Sequence, residues 1–199
     1  MASTYTPLGV ELMATGENAG TWGTKTNTNL NIVEQIVGGY TTQAVTDSGT
    51  PTALTVSDGS TGATLSHRVI ELTGSISGAR VVTIPLDVQT FYVIKNSTSG
   101  AYTVQFKYAS GSGDTVTWTA TDKGTKIIYA TANDGTNPDI VDVMATSSEI
   151  SLANNNPIKF NDADNSAFVG IDAPATVSGS YTLTLPAAVG SASQALVTT

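Results

Sequence analysis

An all-β fold is what this sequence predicts, and three observations predict it. Thr, Ser, Gly and Asn supply the polarity, while charged residues make up only 12% of the 199, and β-branched side chains suit a pleated surface. Short runs with an apolar residue at every second position recur along the chain. Between them stand turn pairs such as Asp58-Gly59, Ser77-Gly78, Ser99-Gly100, Lys123-Gly124 and Asp134-Gly135. Apolar residues reach 40%, enough to build a packed core rather than a disordered chain.

The pattern divides the chain into three zones. Residues 1–40 open extended around Pro7, pass through the Gly-rich stretch Gly16-Glu-Asn-Ala-Gly-Thr-Trp-Gly23, and enter one short helix. Leu30, Val33 and Val37 share one face of that helix, with Ile32 and Ile36 beside them. Thr26, Asn27 or Thr28 can supply the N-cap, and Gly38-Gly39 stops the helix by accepting a left-handed C-cap. A helix of roughly ten residues is too short to stand alone, so its apolar stripe must lie against something.

Residues 41–145 read as short strands at regular spacing, a β-sandwich or jelly-roll-like domain. The clearest is 101–108, where Tyr102, Val104, Phe106 and Tyr108 alternate with Thr103, Gln105 and Lys107. Segments 68–72, 79–84, 91–95, 115–119, 125–130 and 139–144 follow the same rule, and Trp118 alternates with Val116 as a core residue does. Residues 146–199 start polar, with Asn154-Asn-Asn-Pro157 as a boundary, and then offer strands at 157–160, 167–171, 181–185 and 194–197. So few large apolar groups make a poor independent core. The zone is expected to be completed by other chains or by residues beyond Thr199.

Charge and composition exclude several functions. Eight Lys+Arg stand against 16 Asp+Glu, a net charge of -8, which repels phosphate backbones and argues against nucleic-acid binding. No apolar run approaches the ~20 residues that span a bilayer. The start, Met-Ala-Ser-Thr-Tyr-Thr-Pro, has neither the basic nor the apolar region of a secretory leader. The chain has no Cys and one His, so disulfides, thiol catalysis and multi-His metal sites are out of reach.

Catalytic patterns are thin. His67 follows Ser66 with Asp58 upstream, but no nucleophile elbow frames them. Asp162, Asp164 and Asp172 lie on a polar stretch and read as solvated turn residues, although paired carboxylates are what glycoside hydrolysis needs. Asn161-Asp-Ala-Asp-Asn-Ser166 echoes a calcium loop but lacks its Gly and its closing Glu. Asn96-Ser-Thr98 matches a glycosylation sequon, and Gly111-Ser-Gly113 is a hairpin turn with no helix behind it to hold a phosphate. No enzyme activity, cofactor or metal is expected. Trp22 sits in the Gly-rich turn, where it either staples the helix to the preceding strand or anchors the segment in a partner.

The run Gly16-Glu-Asn-Ala-Gly-Thr-Trp-Gly-Thr-Lys-Thr-Asn-Thr-Asn-Leu-Asn-Ile-Val-Glu34 resembles the N-terminal segment of tail-fibre-type virion proteins of tailed bacteriophages, especially those of marine hosts. Leu72-Thr-Gly-Ser-Ile-Ser-Gly-Ala-Arg-Val-Val-Thr-Ile-Pro85 and Tyr92-Val-Ile-Lys-Asn-Ser-Thr-Ser-Gly-Ala-Tyr-Thr-Val104 resemble the β-domain of such proteins. Val169-Gly-Ile-Asp-Ala-Pro-Ala175, Tyr181-Thr-Leu-Thr-Leu-Pro186 and Ser193-Gln-Ala-Leu-Val-Thr198 resemble a shaft module. The resemblance implies a homotrimer that attaches to a phage tail or baseplate, with residues 146–199 as a β-rich shaft completed by trimerisation and continuing past Thr199. It assigns tail anchoring to Gly20, Thr21, Trp22, Gly23, Asn27, Asn29, Leu30 and Val33. The chain would be made in the host bacterial cytoplasm and carried in the virion, with host glycan met through distal parts. The alternatives are a carbohydrate-binding adhesin, for which exposed Tyr102, Tyr108 or Trp118 would speak, a depolymerase of the tailspike kind, and a tail adaptor or capsid decoration protein.

Overall fold

The computed structural model describes residues 2–121, 123–146 and 157–180. The chain divides into two units, residues 1–148 and 149–199. The predicted strands 181–185 and 194–197 lie outside the described residues.

The first unit is mostly β-strand with one helix. A small hairpin opens it, β1 (Thr4–Tyr5) against β2 (Glu11–Leu12). Gly9 closes the turn at φ +83, and a Cβ there would meet the Ser57 carbonyl oxygen at 2.7 Å, so only glycine fits. Helix α1 (Trp22–Gly38) follows, then nine strands: β3 (Tyr40–Ala44), β4 (Thr52–Ala53), β5 (Val69–Thr73), β6 (Arg80–Ile84), β7 (Thr90–Asn96), β8 (Val104–Tyr108), β9 (Val116–Trp118), β10 (Thr125–Ala130) and β11 (Ile140–Asp142).

These strands form two sheets, one in the order β11-β10-β7-β5-β3 and the other β4-β6-β8-β9. The expected strands are there, but their connectivity is not that of a jelly roll, whose strands pair antiparallel. Here β3, β5 and β7 run parallel in one sheet, and β4, β6 and β8 run parallel in the other. The chain lays one strand in the first sheet, crosses to the second, and returns beside its previous strand. This is the coiling path of a β-solenoid. Antiparallel β9, β10 and β11 then close the far edges. A parallel pair needs a long crossover, and here the strand in the opposite sheet serves as the crossover instead of a helix.

The core lies between the sheets. Trp118, Tyr92, Phe106, Ile70, Leu72 and Ile94 are fully buried in it. The polar tips of its aromatic residues are satisfied, as buried tips must be. Trp118 Nε1 donates to the Gly124 carbonyl at 2.9 Å, Tyr92 Oη to Leu65 at 2.9 Å and Tyr108 Oη to Val88 at 2.8 Å. Asn96 of the sequon is also buried, its Oδ1 accepting from the Thr98 N–H and hydroxyl. That side chain serves the fold and is closed to a glycan.

The helix departs from expectation in three ways. It starts at Trp22, with Thr21 as N-cap, and runs 17 residues. Trp22 therefore begins the helix instead of standing in a turn ahead of it. Its end at Gly39 is extended (φ -66, ψ 147), not left-handed. Glycine is needed there for closeness: a Cβ on Gly39 would come within 2.8 Å of the Gln35 backbone and 2.9 Å of the His67 ring. Last, the face against the body is not the Leu30–Val33–Val37 stripe. Ile32 is the buried residue of the helix.

In the second unit, β12 (Ile158–Asn161) pairs antiparallel with β13 (Phe168–Ile171). Asp162 in their loop accepts from the Ser166 N–H at 2.9 Å and hydroxyl at 3.1 Å, and Asp164 accepts from the same N–H at 3.1 Å. These carboxylates hold the turn. Among the described residues, no three His, Asp or Glu side chains come together as a metal site would need. No helix among them is long and apolar enough to cross a membrane.

Candidate docking surfaces

Helix α1 is clamped to its own body by polar contacts that the sequence does not advertise. Asn29 reaches back to β2, accepting from the Glu11 N–H at 2.9 Å and donating to the Glu11 carbonyl at 2.8 Å. Its amide thereby completes the free edge of the hairpin as a neighbouring strand would. One turn earlier, Lys25 pairs with the buried Glu11 carboxylate at 3.1 Å. The Lys25 ammonium holds that carboxyl below its usual value, and Asn18 donates to it as well. At the other end, Gln35 bonds the His67 ring at 3.1 Å and accepts from the Gly62 N–H at 3.2 Å. Lys25, Asn29, Ile32 and Ile36 thus form the inner face.

Helical geometry of 3.6 residues per turn puts Thr26, Leu30, Val33 and Val37 about 100° away from that face. Leu30 is 60% exposed, Val37 69% and Val33 43%. Trp22 stands at the N-terminal end of the same side, 66% exposed, and Tyr40 lies just past the C-terminal end, also exposed. Beside the ridge is a groove of about 640 Å³ lined by Leu30, Val33, Val37, Tyr40 and His67. A ridge of large apolar side chains outside the core is the kind of feature that marks an interaction surface.

The eight residues assigned to anchoring do not act as one group. Trp22, Leu30 and Val33 lie on the outer ridge, and Asn27 is exposed. Gly20, at φ +81, and Thr21 shape the entry: Thr21 donates from its N–H to the Asn18 carbonyl at 2.9 Å, and its own carbonyl accepts the first helical bond from Lys25. Gly23 is in the first turn. Asn29 is turned inward and spent on Glu11. Val37 and Tyr40 complete the ridge and were not among the anchoring residues, although Val37 has the spacing that groups it with Leu30 and Val33. With Trp22 this exposed, it does not staple the helix to the preceding strand.

The hairpin of the second unit carries another open face. Its register pairs Ile158 with Ile171 and Phe160 with Val169, so all four side chains point the same way. The opposite face holds Lys159, Asn161, Phe168 and Gly170, with the Lys159 ammonium 4.3 Å from the Phe168 ring centre. All eight residues of the two strands are exposed.

The remaining candidates resolve into structural roles. Ser66 donates to the Leu8 carbonyl at 3.3 Å, and His67 Nδ1 meets the Ala63 carbonyl at 2.9 Å. Neither is bonded to the other, and both tie the N-terminal segment to the sheets. Tyr108 and Trp118 are core, which leaves Tyr102 as the one exposed member of the aromatic trio. No family model, curated protein or solved structure matches the chain.

Proposed function

We propose that the chain is a structural subunit of a bacteriophage tail, the proximal part of a trimeric tail fibre. Its N-terminal segment docks on the tail or baseplate, and its shaft supports host adsorption. The observation that carries this reading is the β12–β13 hairpin, whose apolar quartet Ile158, Phe160, Val169 and Ile171 shares one face and is exposed among the described residues. A lone two-stranded hairpin is marginal in water. Three such hairpins meeting on a common axis would give each quartet an apolar neighbour. The motif at Gly16–Glu34 supports the same reading from the other end of the chain.

The work is binding rather than turnover. Trp22 is the expected anchor to the tail, since a Trp buries a large area at low entropic cost. Threefold symmetry multiplies a modest single contact by avidity. The adhesin alternative needs a platform of exposed aromatics, and of its three candidates only Tyr102 faces solvent.

The test is location and attachment. Antibodies raised against the purified chain should decorate the tails of virions that contain it. Decoration of the capsid shell would move the protein to the decoration class, and absence from virions would overturn the reading. Trp22→Ala should weaken attachment to tails while the thermal unfolding of the first unit stays the same.

A further inference from the structure

We infer that the open edge of β3 receives an extended, charge-poor segment of the tail protein, which adds to the five-stranded sheet as a sixth strand. The inference rests on the tail-attachment reading above and gives the receiving partner its chemistry.

The main chain comes first. Strand β3 is the outermost strand of its sheet and pairs parallel with β5 from Tyr40 to Ala44. The bonds that tie it there use every second residue. The Gly39 carbonyl accepts from the Val69 N–H at 2.9 Å, and the Val45 N–H donates to the Thr73 carbonyl at 2.8 Å. By the same alternation Thr41 and Gln43 face β5, while the N–H and C=O groups of Tyr40, Thr42 and Ala44 face outward. Among the described residues, those three N–H groups meet no acceptor. The Gln43 side chain donates to the Ala44 carbonyl at 3.0 Å, where an incoming N–H would stand.

Nothing blunts this edge. Natural sheets protect their free edges with short strands, charges, proline or bulges. The other edge strands of the two sheets are short, three residues in β9 and β11 and two in β4. Strand β3 has five, Tyr-Thr-Thr-Gln-Ala, with no charge, no proline and an unbroken register. An open edge of that kind is a template for strand addition.

Side chains select the occupant. An added strand would set its own side chains beside exposed Tyr40, Thr42 and Ala44 on one face and half-buried Thr41 and Gln43 on the other. The charged residue across from Thr42 on β5 is Glu71, and Tyr40, Lys95 and Ser97 already bond its carboxylate. A charge on the incoming strand therefore gains no partner at this row, and a segment rich in Thr, Ser or Asn fits. A second copy does not fit: β3 against β3 is a twofold contact, and a threefold fibre has no twofold axis. Tyr40 also lies at the end of the outer ridge of α1, so ridge and edge form one continuous surface for the tail.

Proline tests the edge directly. Thr42→Pro removes an outward N–H and leaves the bonds to β5 in place, whereas Thr42→Ala loses the side chain and keeps the N–H. Attachment of the full chain is measured on tails isolated from the virions and stripped of it. Thr42→Ala should match the wild type, and Thr42→Pro, with an unchanged thermal unfolding curve, should attach roughly tenfold more weakly. Hydrogen exchange of the wild-type chain gives a second reading that needs no variant to fold. Its Thr42 and Ala44 amides should exchange about tenfold or more slower on tails than in the free chain. Equal attachment of all three proteins, or amides on the tail as fast as in the free chain, would overturn the strand addition and leave the fibre reading standing. Amides already protected in the free chain would also overturn it, by placing a second copy on the edge. A wild-type chain that does not attach to tails would overturn both.

Discussion

Strands β8 and β12 obey the same rule and meet different ends. In β8, Val104, Phe106 and Tyr108 alternate with Gln105 and Lys107, and the apolar three are buried between two sheets. In β12, Ile158 and Phe160 alternate with Lys159 and Asn161, and all four are exposed. The alternation specifies a strand with one apolar face. It does not specify what covers that face. In the first unit the cover comes from the same chain, strand by strand, as the solenoid path returns. For the hairpin the proposed fibre supplies it from sister chains, and for the outer ridge of α1 the proposed attachment to the tail supplies it.

The contrast can be broken with substitutions, and the largest effect belongs to the closed core. Trp118→Ala should cost about 3–5 kcal/mol in denaturant unfolding of the first unit, since it empties a fully buried site and removes the indole hydrogen bond to the Gly124 carbonyl. The neighbours Ile32 and Val33 give the sharpest single comparison. Ile32→Ala should cost about 2–4 kcal/mol, whereas Val33→Ser should change the stability of the unit by less than about 0.5 kcal/mol and act on association instead. Equal losses would mean that the ridge is held by its own chain. Asn29→Ala removes both bonds to Glu11 and should cost about 1–2 kcal/mol, read as faster proteolysis of residues 1–20.

Acid should probe the same unit more gently. Ser97 first, then Tyr40 and Lys95, hydrogen-bond the Glu71 carboxylate and lower it from 4.5 to about 2. A depressed carboxyl contributes stability that is full above its unfolded value and lost as pH falls through its folded one. The melting temperature should therefore fall between pH 4.5 and 2, and Glu71→Gln should flatten part of that slope. The smallest effect on the first unit is expected from Phe160→Ser, which should leave its unfolding curve within about 0.5 kcal/mol while lowering the solution mass.

The elements were largely legible and their assembly was not. Segment 125–130 is a strand to the residue, 79–84 starts one residue early, and 91–95 stops one residue short at each end, because β-branched alternation is a local signal. Strands β3 and β4 escaped notice, since Tyr40–Ala44 and Thr52–Ala53 are polar or very short. Parallel pairing left no mark either: a period of two says nothing about the direction of a neighbour. The helix start was hidden because Gly23, Thr24, Thr26 and Asn27 are weak helix formers, and the bonds from Asn29 and Lys25 to Glu11 outweigh that weakness. The same bonds turn Ile32 inward and the Leu30–Val33–Val37 stripe outward. Of the anchoring residues, the ridge members could be read from spacing, but the inward role of Asn29 rests on a contact 18 residues away in sequence.

The central claim is that the open face of the β12–β13 hairpin is covered by copies of the same chain, and the solution mass of the purified full chain tests it most directly. Light scattering should give about three times 20.4 kDa across a wide concentration range. A mass of 20.4 kDa at every concentration would contradict it.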